Sequence, residues 1–270
     1  MKKVVLITGA SSGIGKMTAL LLYKQGFTVY GAARRLNKMY DLKEAGINLL
    51  QMDVTDDDSM VKGINEIMEN EKRIDVLINN AGYGSFGALE DVPLEEARMQ
   101  FEVNVFGPAR LIQLVLPHMR AHKSGRIINV SSMAGRFGQP HGAWYHATKF
   151  ALEGLSDSLR MELIQFGIDV VVIQPGAIKT EWNIIAGDNL VKMSGNTAYK
   201  NSANRHAGML ERVYQLGSEP GVIAKIIARA VRANNPRTRY AAGTGAKPIL
   251  FLRKILPDRI FDSLFLSQLN

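Results

Sequence analysis

Tyr145 and Lys149, in Trp144-Tyr145-His146-Ala147-Thr148-Lys149, stand four residues apart. On a helix that spacing puts both side chains on one face, with a rise of about 6 Å between their Cα atoms. An ammonium beside a phenol favours phenolate and so lowers a pKa that is ordinarily ~10. A unit charge at ~4 Å with an effective dielectric constant near 20 is worth about 4 kcal/mol, which brings the phenol toward the neutral range before desolvation opposes it. Such a tyrosine exchanges a proton with an alcohol or a ketone oxygen. Tyr and Lys also meet at this spacing on many helices that do no chemistry. The pair gains meaning from two companions: Ser132, thirteen residues before the tyrosine, and a glycine-rich turn near the N-terminus.

That turn is Thr8-Gly9-Ala10-Ser11-Ser12-Gly13-Ile14-Gly15-Lys16, placed after an apolar run and before a helical pattern. Glycines there permit a tight turn and let a pyrophosphate approach the backbone, while the helix N-terminus offers free N–H groups and positive dipole. Gly9, Ser11, Ser12, Gly13, Ile14 and Gly15 are therefore cofactor-binding candidates. The spacing is not a P-loop, because five residues separate Gly9 from Gly15 and Met17 follows Lys16. The next apolar run ends in Ala33-Arg34-Arg35. In a dinucleotide fold an acid at this place accepts the ribose 2′-OH of NAD, whereas arginine suits a 2′-phosphate, so Arg34 and Arg35 favour NADP over NAD. Asp53-Val54 follows the third run, where a carboxylate takes an adenine amino group. Asn80-Ala81-Gly82 follows the fourth, where small residues let a cofactor lie against backbone.

The elements that must position these residues alternate. Strands are expected at Val4–Thr8, Phe27–Ala33, Ile47–Met52, Asp75–Asn79, Arg126–Ser131 and Asp169–Gln174, with Arg239–Ala241 as a short last one. Helices are expected at Ile14–Gln25, Asp56–Glu69, Leu94–His122 with Pro117 as a kink, Trp144–Phe166 and Pro220–Arg232. Near-continuous apolar strands such as Val170-Val171-Val172-Ile173 suit a sheet covered on both faces. Strand and helix in regular alternation predict an α/β fold, a doubly wound parallel sheet of about seven strands. With no repeat or proline-rich linker, residues 1–270 read as a single Rossmann-type domain, its cofactor half at about 1–125 and its catalytic and substrate half at about 126–270. From Lys179 to about Met209 the chain turns polar, as a lid over a substrate pocket or a variable loop would. The apolar tail, including Ile249 to Leu252, Ile260-Phe261 and Leu264 to Leu266, suits docking on the core or a subunit interface better than a membrane surface.

Composition narrows the chemistry further. The 270 residues are 46% hydrophobic and include no cysteine, which excludes disulfides, thiolate zinc sites and cysteine nucleophiles. His118 and His122 lack the glutamate of a zinc-binding HExxH, and no metal site is expected. Ser131 or Ser132 with His141 or His146 lacks the G-x-S-x-G elbow of a hydrolase. The net charge of +8 suits an anionic cofactor or a well-solvated surface. Basic residues do not run together with aromatics, so no nucleic-acid partner is expected. No stretch nears the ~20 apolar residues that span a bilayer, and a cytoplasmic protein is expected.

These motifs in order, over residues 3 to about 182, resemble the short-chain dehydrogenase/reductase family: Thr8-Gly-x3-Gly-x-Gly15, Asn79-Asn80-Ala81-Gly82, Asn104 in Val103-Asn104-Val105-Phe106-Gly107, Ser131-Ser132, Tyr145-x3-Lys149 and Pro175-Gly176-x3-Thr180. The resemblance implies a catalytic tetrad of Asn104, Ser132, Tyr145 and Lys149, with Tyr145 and Lys149 also touching the cofactor. It makes Pro175, Gly176, Ile178 and Thr180 the segment around the nicotinamide. It implies that Tyr145 is the acid/base, that Ser132 holds the substrate oxygen, and that Asn104, in mid-helix, holds a water linking Lys149 to solvent. The similarity leans toward branches acting on hydroxysteroids, retinoids and other apolar alcohols. Alongside Ser132 and Tyr145, the substrate pocket is expected to draw on Met133, Phe137, Trp144, Trp182 and the insert near Met193. The function expected is an NADP-dependent oxidoreductase interconverting a secondary alcohol and a ketone or aldehyde, as a homodimer or homotetramer. The alternative is a dinucleotide-sensing regulatory protein with little turnover, which would have no use for an intact tetrad.

Overall fold

The computed structural model describes residues 2–269. Seven strands, β1 Val4–Thr8, β2 Thr28–Ala33, β3 Asn48–Gln51, β4 Val76–Asn79, β5 Gly125–Val130, β6 Ile168–Pro175 and β7 Arg239–Ala242, form one sheet. Its order is β3-β2-β1-β4-β5-β6-β7 and every pairing is parallel. The chain winds outward from β1 to β3, then returns to β4 on the other side of β1. That reversal opens a crevice beyond the carboxyl ends of β1 and β4, the place where open α/β sheets bind ligands. The expected fold class is observed.

The helices are α1 Gly13–Lys24, α2 Tyr40–Glu44, α3 Asp57–Glu71, α4 Leu94–Phe101, α5 Gly107–Ala121, α6 Ala143–Leu163, α7 Glu181–Ser194, α8 Lys200–Leu216, α9 Pro220–Arg232, α10 Ala246–Ile255 and α11 Asp258–Leu269. Two hydrophobic layers cover the sheet. On one face Val5, Ile7, Val171 and Ile173 meet Leu22 of α1 and Ile223 and Ile227 of α9. On the other, Leu6, Leu77 and Ile127 meet Ile64 of α3 and Leu111 and Val115 of α5. Each such side chain contributes about 1.5–3 kcal/mol when fully buried, so the strands that carry the crevice are its most rigid support.

Two differences from the sequence expectations bear on the site. The helix expected over Leu94–His122 is interrupted by a π-helical turn, Glu102–Phe106, with Asn104 inside it. A π turn loosens the backbone ladder and is frequent at functional sites. Beside it Gly107 packs so closely that a Cβ would lie 2.4 Å from Val54 O. The polar insert is neither an open loop nor irregular: it forms α7 and α8, packed on each other through Ala186, Leu190, Ala203 and Leu210. Their polar faces masked this small apolar seam. The apolar tail folds back onto the core as expected, forming α10 and α11, and buried Phe261 packs edge-on against Phe137 with ring centroids 5.5 Å apart. Among the described residues, no helix is long and apolar enough to cross a membrane.

Candidate active site

The cofactor side is assembled from backbone. Gly9 and Gly13 take left-handed φ values of +68° and +53°. A Cβ on Gly9 would lie 2.9 Å from Ala81 Cα, and one on Gly15 would lie 2.2 Å from Gly9 O and 2.6 Å from Asn80 Nδ2. The β1 and β4 ends are thus pressed together with no room for side chains. Thr8 Oγ1 clamps them, accepting from Asn80 N at 3.1 Å and Ala81 N at 3.0 Å, while Asn80 Nδ2 donates to Thr8 O at 3.0 Å. Ser12, at the N-cap of α1, makes no side-chain cap bond, and the first turn carries no acidic residue. The helix start therefore keeps unpaired N–H groups of the kind that receive phosphate.

The other residues expected to meet a cofactor lie as follows. Thr180 lies against Gly13, where an added Cβ would be 3.0 Å from its Cγ2. The Pro175–Thr180 segment is fixed from both sides: Gly176 N donates to Ala242 O at 2.8 Å and Lys179 N to Ser218 O at 2.9 Å. Ile178 is buried in the core layer that includes α9. Arg34 and Arg35 are exposed beyond β2, and neither has a carboxylate within ion-pairing distance among the described residues. Asp53 accepts from Thr55 N at 3.0 Å and Thr55 Oγ1 at 2.8 Å; the carboxylate that caps α3 is that of Asp56, which accepts from Ser59 N. Val54 is buried under the π turn. An empty-sided glycine cradle, a bare helix start and two unpaired arginines fit a dinucleotide, and the arginines fit an extra phosphate on it.

The tetrad residues converge next to this cradle. Gly82 links the two: a Cβ there would lie 3.6 Å from Asn104 Oδ1 and 3.9 Å from Lys149 Nζ. Lys149 Nζ donates to Val130 O at 3.2 Å and lies 5.8 Å from the centroid of the Tyr145 ring. The Ser132 hydroxyl acts on the Tyr145 phenol to lower its pKa, and its Oγ accepts from Ala134 N at 3.1 Å. Helix α6, which carries Tyr145 and Lys149, is anchored by polar contacts beneath them. Asn129 Nδ2 donates to Ser156 Oγ at 2.9 Å, and buried Glu153 accepts from Gln174 Nε2 and Arg239 Nε.

Two expectations about these residues change. Tyr145 is not made acidic in this geometry. Burial pushes its phenol up to about 12, against the lowering effect of the Ser132 hydrogen bond. Burial also pulls Lys149 down to about 8, against the attraction of Glu153. With the ammonium this far from the ring, desolvation outweighs charge. Asn104 does not point its amide at a solvent path: its Nδ2 donates to Tyr83 O at 2.7 Å and Thr148 Oγ1 at 3.1 Å, and its Oδ1 accepts from Tyr83 N at 2.9 Å. Both amide hydrogens are engaged, so the side chain ties the loop after β4 to α6 rather than holding a water through its N–H groups.

The expected substrate residues separate. Trp182 comes to Tyr145, ring centroids 4.9 Å apart, and Met133 stands half-buried beside Ser132 at the start of a 3-10 turn. Trp144 turns the other way and packs on Phe101, 6.5 Å between rings, by a surface cavity that also includes Leu94 and Phe106. Adjacent helix positions do not share a face, which explains the divergence. Phe137 is 3% exposed and filled in by Phe261, Phe265 and His146, away from the Tyr145 hydroxyl. Met193 packs over Gly87, where a Cβ would lie 3.0 Å from its Cβ.

Sequence reasoning missed Phe86 and Thr148. Phe86 lies 5.6 Å from the Tyr145 ring and 5.8 Å from Trp182. Thr148 accepts from Asn104 and donates to Tyr145 O at 2.8 Å. The alternating glycines of Gly82-Tyr83-Gly84-Ser85-Phe86-Gly87 after β4 were a signal for close packing there. A histidine pair was also invisible: His141 Nδ1 and His206 Nδ1 stand 3.2 Å apart and tie α8 to the loop before α6. Burial, with His141 and His146 adding to it, holds His206 down at about 4, and burial lowers His141 as well.

A parallel seven-stranded sheet with a dinucleotide-type cradle and a Ser-Tyr-Lys cluster at one crevice defines a nicotinamide-dependent oxidoreductase fold. The short chain dehydrogenase family model matches residues 3–189, and the chain belongs to that family, as an oxidoreductase acting at CH–OH groups. It is 38% identical over 262 residues to a 3-ketodihydrosphingosine reductase of Bacteroides thetaiotaomicron, covering 96% of this chain and 95% of that protein. A short-chain dehydrogenase from Streptomyces avermitilis superposes with a TM-score of 0.80 at 34% identity, covering 99% of this chain and 94% of that one. A metagenomic short-chain oxidoreductase in complex with NADP superposes with a TM-score of 0.70 at 28% identity, covering 89% of this chain and 96% of that one.

Proposed function

We propose that the chain interconverts a ketone and a secondary alcohol with NADP as cofactor, on an apolar or bulky substrate. The carrying observation is the convergence of Tyr145, Ser132 and Lys149 at the edge of the glycine cradle, joined through Gly82. In reduction, the Tyr145 phenol, protonated at neutral pH by its burial, gives its proton to the carbonyl oxygen as charge builds there. The Ser132 hydroxyl donates a hydrogen bond to the same oxygen and so positions it. The Lys149 ammonium, held by Val130 O, stabilises the phenolate that forms. Asn104 and Thr148 hold the loop after β4 against α6 and keep that geometry. The bound cofactor supplies or accepts the hydride. Gly9, Ser11 to Gly15, Asn80, Ala81 and Thr180 hold its phosphates and nicotinamide side, and Asp53 and Val54 its adenine. Arg34 and Arg35 meet the 2′-phosphate.

An apolar substrate is supported by the seam around Tyr145, made of Phe86, Trp182, Ala186, Leu190, Ala203 and Leu210. It is supported too by the name of the Bacteroides relative, a reductase of a ketone on a long-chain base. Exposed Phe106 and Phe150, on the π turn and α6, support a homodimer or homotetramer through those helices. The cytoplasmic location drawn from the sequence belongs to the same proposal. The test follows the reduced-nicotinamide absorbance with ketones of rising chain length, using NADPH and NADH. NADPH-dependent turnover is expected, and Arg34→Asp should weaken NADPH binding about tenfold or more, as loss of a charge-assisted hydrogen bond does, while sparing NADH. Equal loss for both cofactors would remove the role of the arginine. The sensor reading is favoured by one observation, the Trp182 ring closed over Tyr145. Tight cofactor binding with no turnover of any ketone would carry that reading instead.

A further inference from the structure

Gly84 is not glycine for the sake of its backbone. Its φ lies outside the left-handed region that favours glycine. A Cβ there would instead lie 2.3 Å from Cζ2 of Trp182 and 2.6 Å from both Cε2 and Nε1. All three nearest atoms belong to one indole, so the missing side chain is the room that the indole fills. From Gly84 the ring reaches over Tyr145 at 4.9 Å, with its edge 5.8 Å from Phe86. Phe86 is 1% exposed and is itself backed by His206 at 5.8 Å, which makes it a fixed floor. Tyr145 is left 8% exposed. A ketone whose oxygen reaches the Tyr145 hydroxyl carries its carbon substituents into the space beside that ring. In this structure that space holds the indole.

Trp182 is placed to leave. It is half-buried, it lies in the first turn of α7, and Thr180 at the N-cap makes no side-chain cap bond to hold that turn. Helix ends without caps open most readily. Leu190 and Ala186, further along α7, are fully buried against α8, so the body of the helix remains while its start moves. The seat is bounded by Gly84 and Phe86, in the apolar cluster that also includes Ala186 and Leu190. It suits a flat or extended hydrocarbon of about the bulk of an indole.

The geometry points to Trp182 as a displaceable plug in the seat of the substrate's apolar arm, and to Gly84 as the specificity-determining position that gives the seat its depth. This rests on Tyr145 being the acid/base of the proposed reaction. Gly84→Val fills the seat. It should lower the ratio of kcat/KM for a long-chain methyl ketone to that for butanone by about 10-fold or more, the range that one or two methyl groups are worth in an apolar pocket. Trp182→Ala vacates the seat and should raise the same ratio. A second readout needs no turnover. In a Trp144→Phe background Trp182 is the sole indole, since the chain has two tryptophans. Its quenching by acrylamide should rise in Gly84→Val and in wild type titrated with a long-chain alcohol in the presence of NADP. Should Gly84→Val fail to fold, as read by circular dichroism, Trp182→Ala and the alcohol titration carry the test. Unchanged quenching together with an unchanged chain-length ratio overturns the inference. A wild type that reduces no ketone overturns the proposed reaction, while the quenching arm still decides whether the indole sits in a seat that Gly84 defines.

Discussion

The glycine cradle and the aromatic seam flank the same tyrosine but are made of different material. On the cofactor side the contacts are between backbones: Gly15 against Gly9 O, Ala81 against Gly9, amides around Thr8 Oγ1. On the substrate side they are between rings: Trp182 on Tyr145, both against Phe86. The first kind tolerates no added atom but needs no rotamer to be right. The second is filled by side chains that swing. In the proposed reading, the diphosphate of the cofactor takes the rigid crossover of β1 and β4, and the varied arms of substrates take the surface hung on α7 and α8, outside the sheet.

The sharpest way to break this contrast is to change each side by one group and ask which function follows. Tyr145→Phe removes a single hydroxyl and leaves the tilted ring contacts with Phe86 and Trp182. Turnover should fall by about 10²–10⁴-fold, the usual worth of a positioned acid/base, with cofactor affinity and melting temperature little changed. Turnover that survives this substitution would move the proton transfer to another group.

The reverse test adds a single methyl to the cradle. Gly15→Ala puts a Cβ 2.2 Å from a backbone carbonyl that cannot rotate away. Overpacking of this kind costs typically about 1–3 kcal/mol, and the strain falls where the phosphates bind. We expect cofactor affinity, read by fluorescence titration, to fall about tenfold or more. The tryptophan signal of the aromatic seam should remain. Loss of ketone specificity with intact cofactor affinity would mean that the two sides are not separable.

The same contrast explains what could be read before the fold was known. Backbone cradles leave a mark in the sequence because only glycine fits them: Gly9, Gly13 and Gly15 pointed to the turn, small residues after β4 pointed to Asn80, and Thr180 came only from the family resemblance. The strands were legible because a doubly covered parallel sheet needs unbroken apolar runs, as at Val170 to Ile173. Packing seams leave weaker marks. Helices α7 and α8 bury only a narrow stripe on each other, and the surrounding polar residues hid their period. Phe137 and Trp144 sit near the catalytic residues in sequence, yet one is covered by a tail more than a hundred residues away and the other lies on the far side of its helix. The π turn at Asn104 has no residue signature of its own; the close fit of Gly107 against Val54 lies directly after it.

Charge in the seam gives the smallest and most informative effect. Lys149 falls to about 8 because burial disfavours its ammonium, and Tyr145 rises to about 12 because burial disfavours its phenolate. Reduction needs the phenol protonated and the ammonium charged, and both conditions hold below about pH 8. As pH rises through that value Lys149 loses its proton first, so kcat/KM for ketone reduction should be flat through neutrality and then decline by up to tenfold per pH unit. Alcohol oxidation needs the phenolate, which forms only toward about 12, so its gain with pH is offset above about 8 by loss of the Lys149 charge that stabilises that phenolate. Stability moves the other way for the lysine: its folded pKa lies below its ordinary 10.5, so between about 8 and 10.5 the unfolded chain binds more protons and the lysine's contribution improves with pH. Tyr145 keeps its proton in the folded state above its ordinary 10.0, so its contribution is lost between that value and about 12. Lys149→Met separates the two readouts. The variant should reduce ketones more slowly, lose the alkaline decline, and show no rise in stability from pH 8 upward. Cofactor affinity, which in the proposed function rests on backbone N–H groups of the glycine turn, should vary less with pH than turnover does. An alkaline decline that persists in Lys149→Met would assign it to another group and break the link between burial in the aromatic seam and the direction of the reaction.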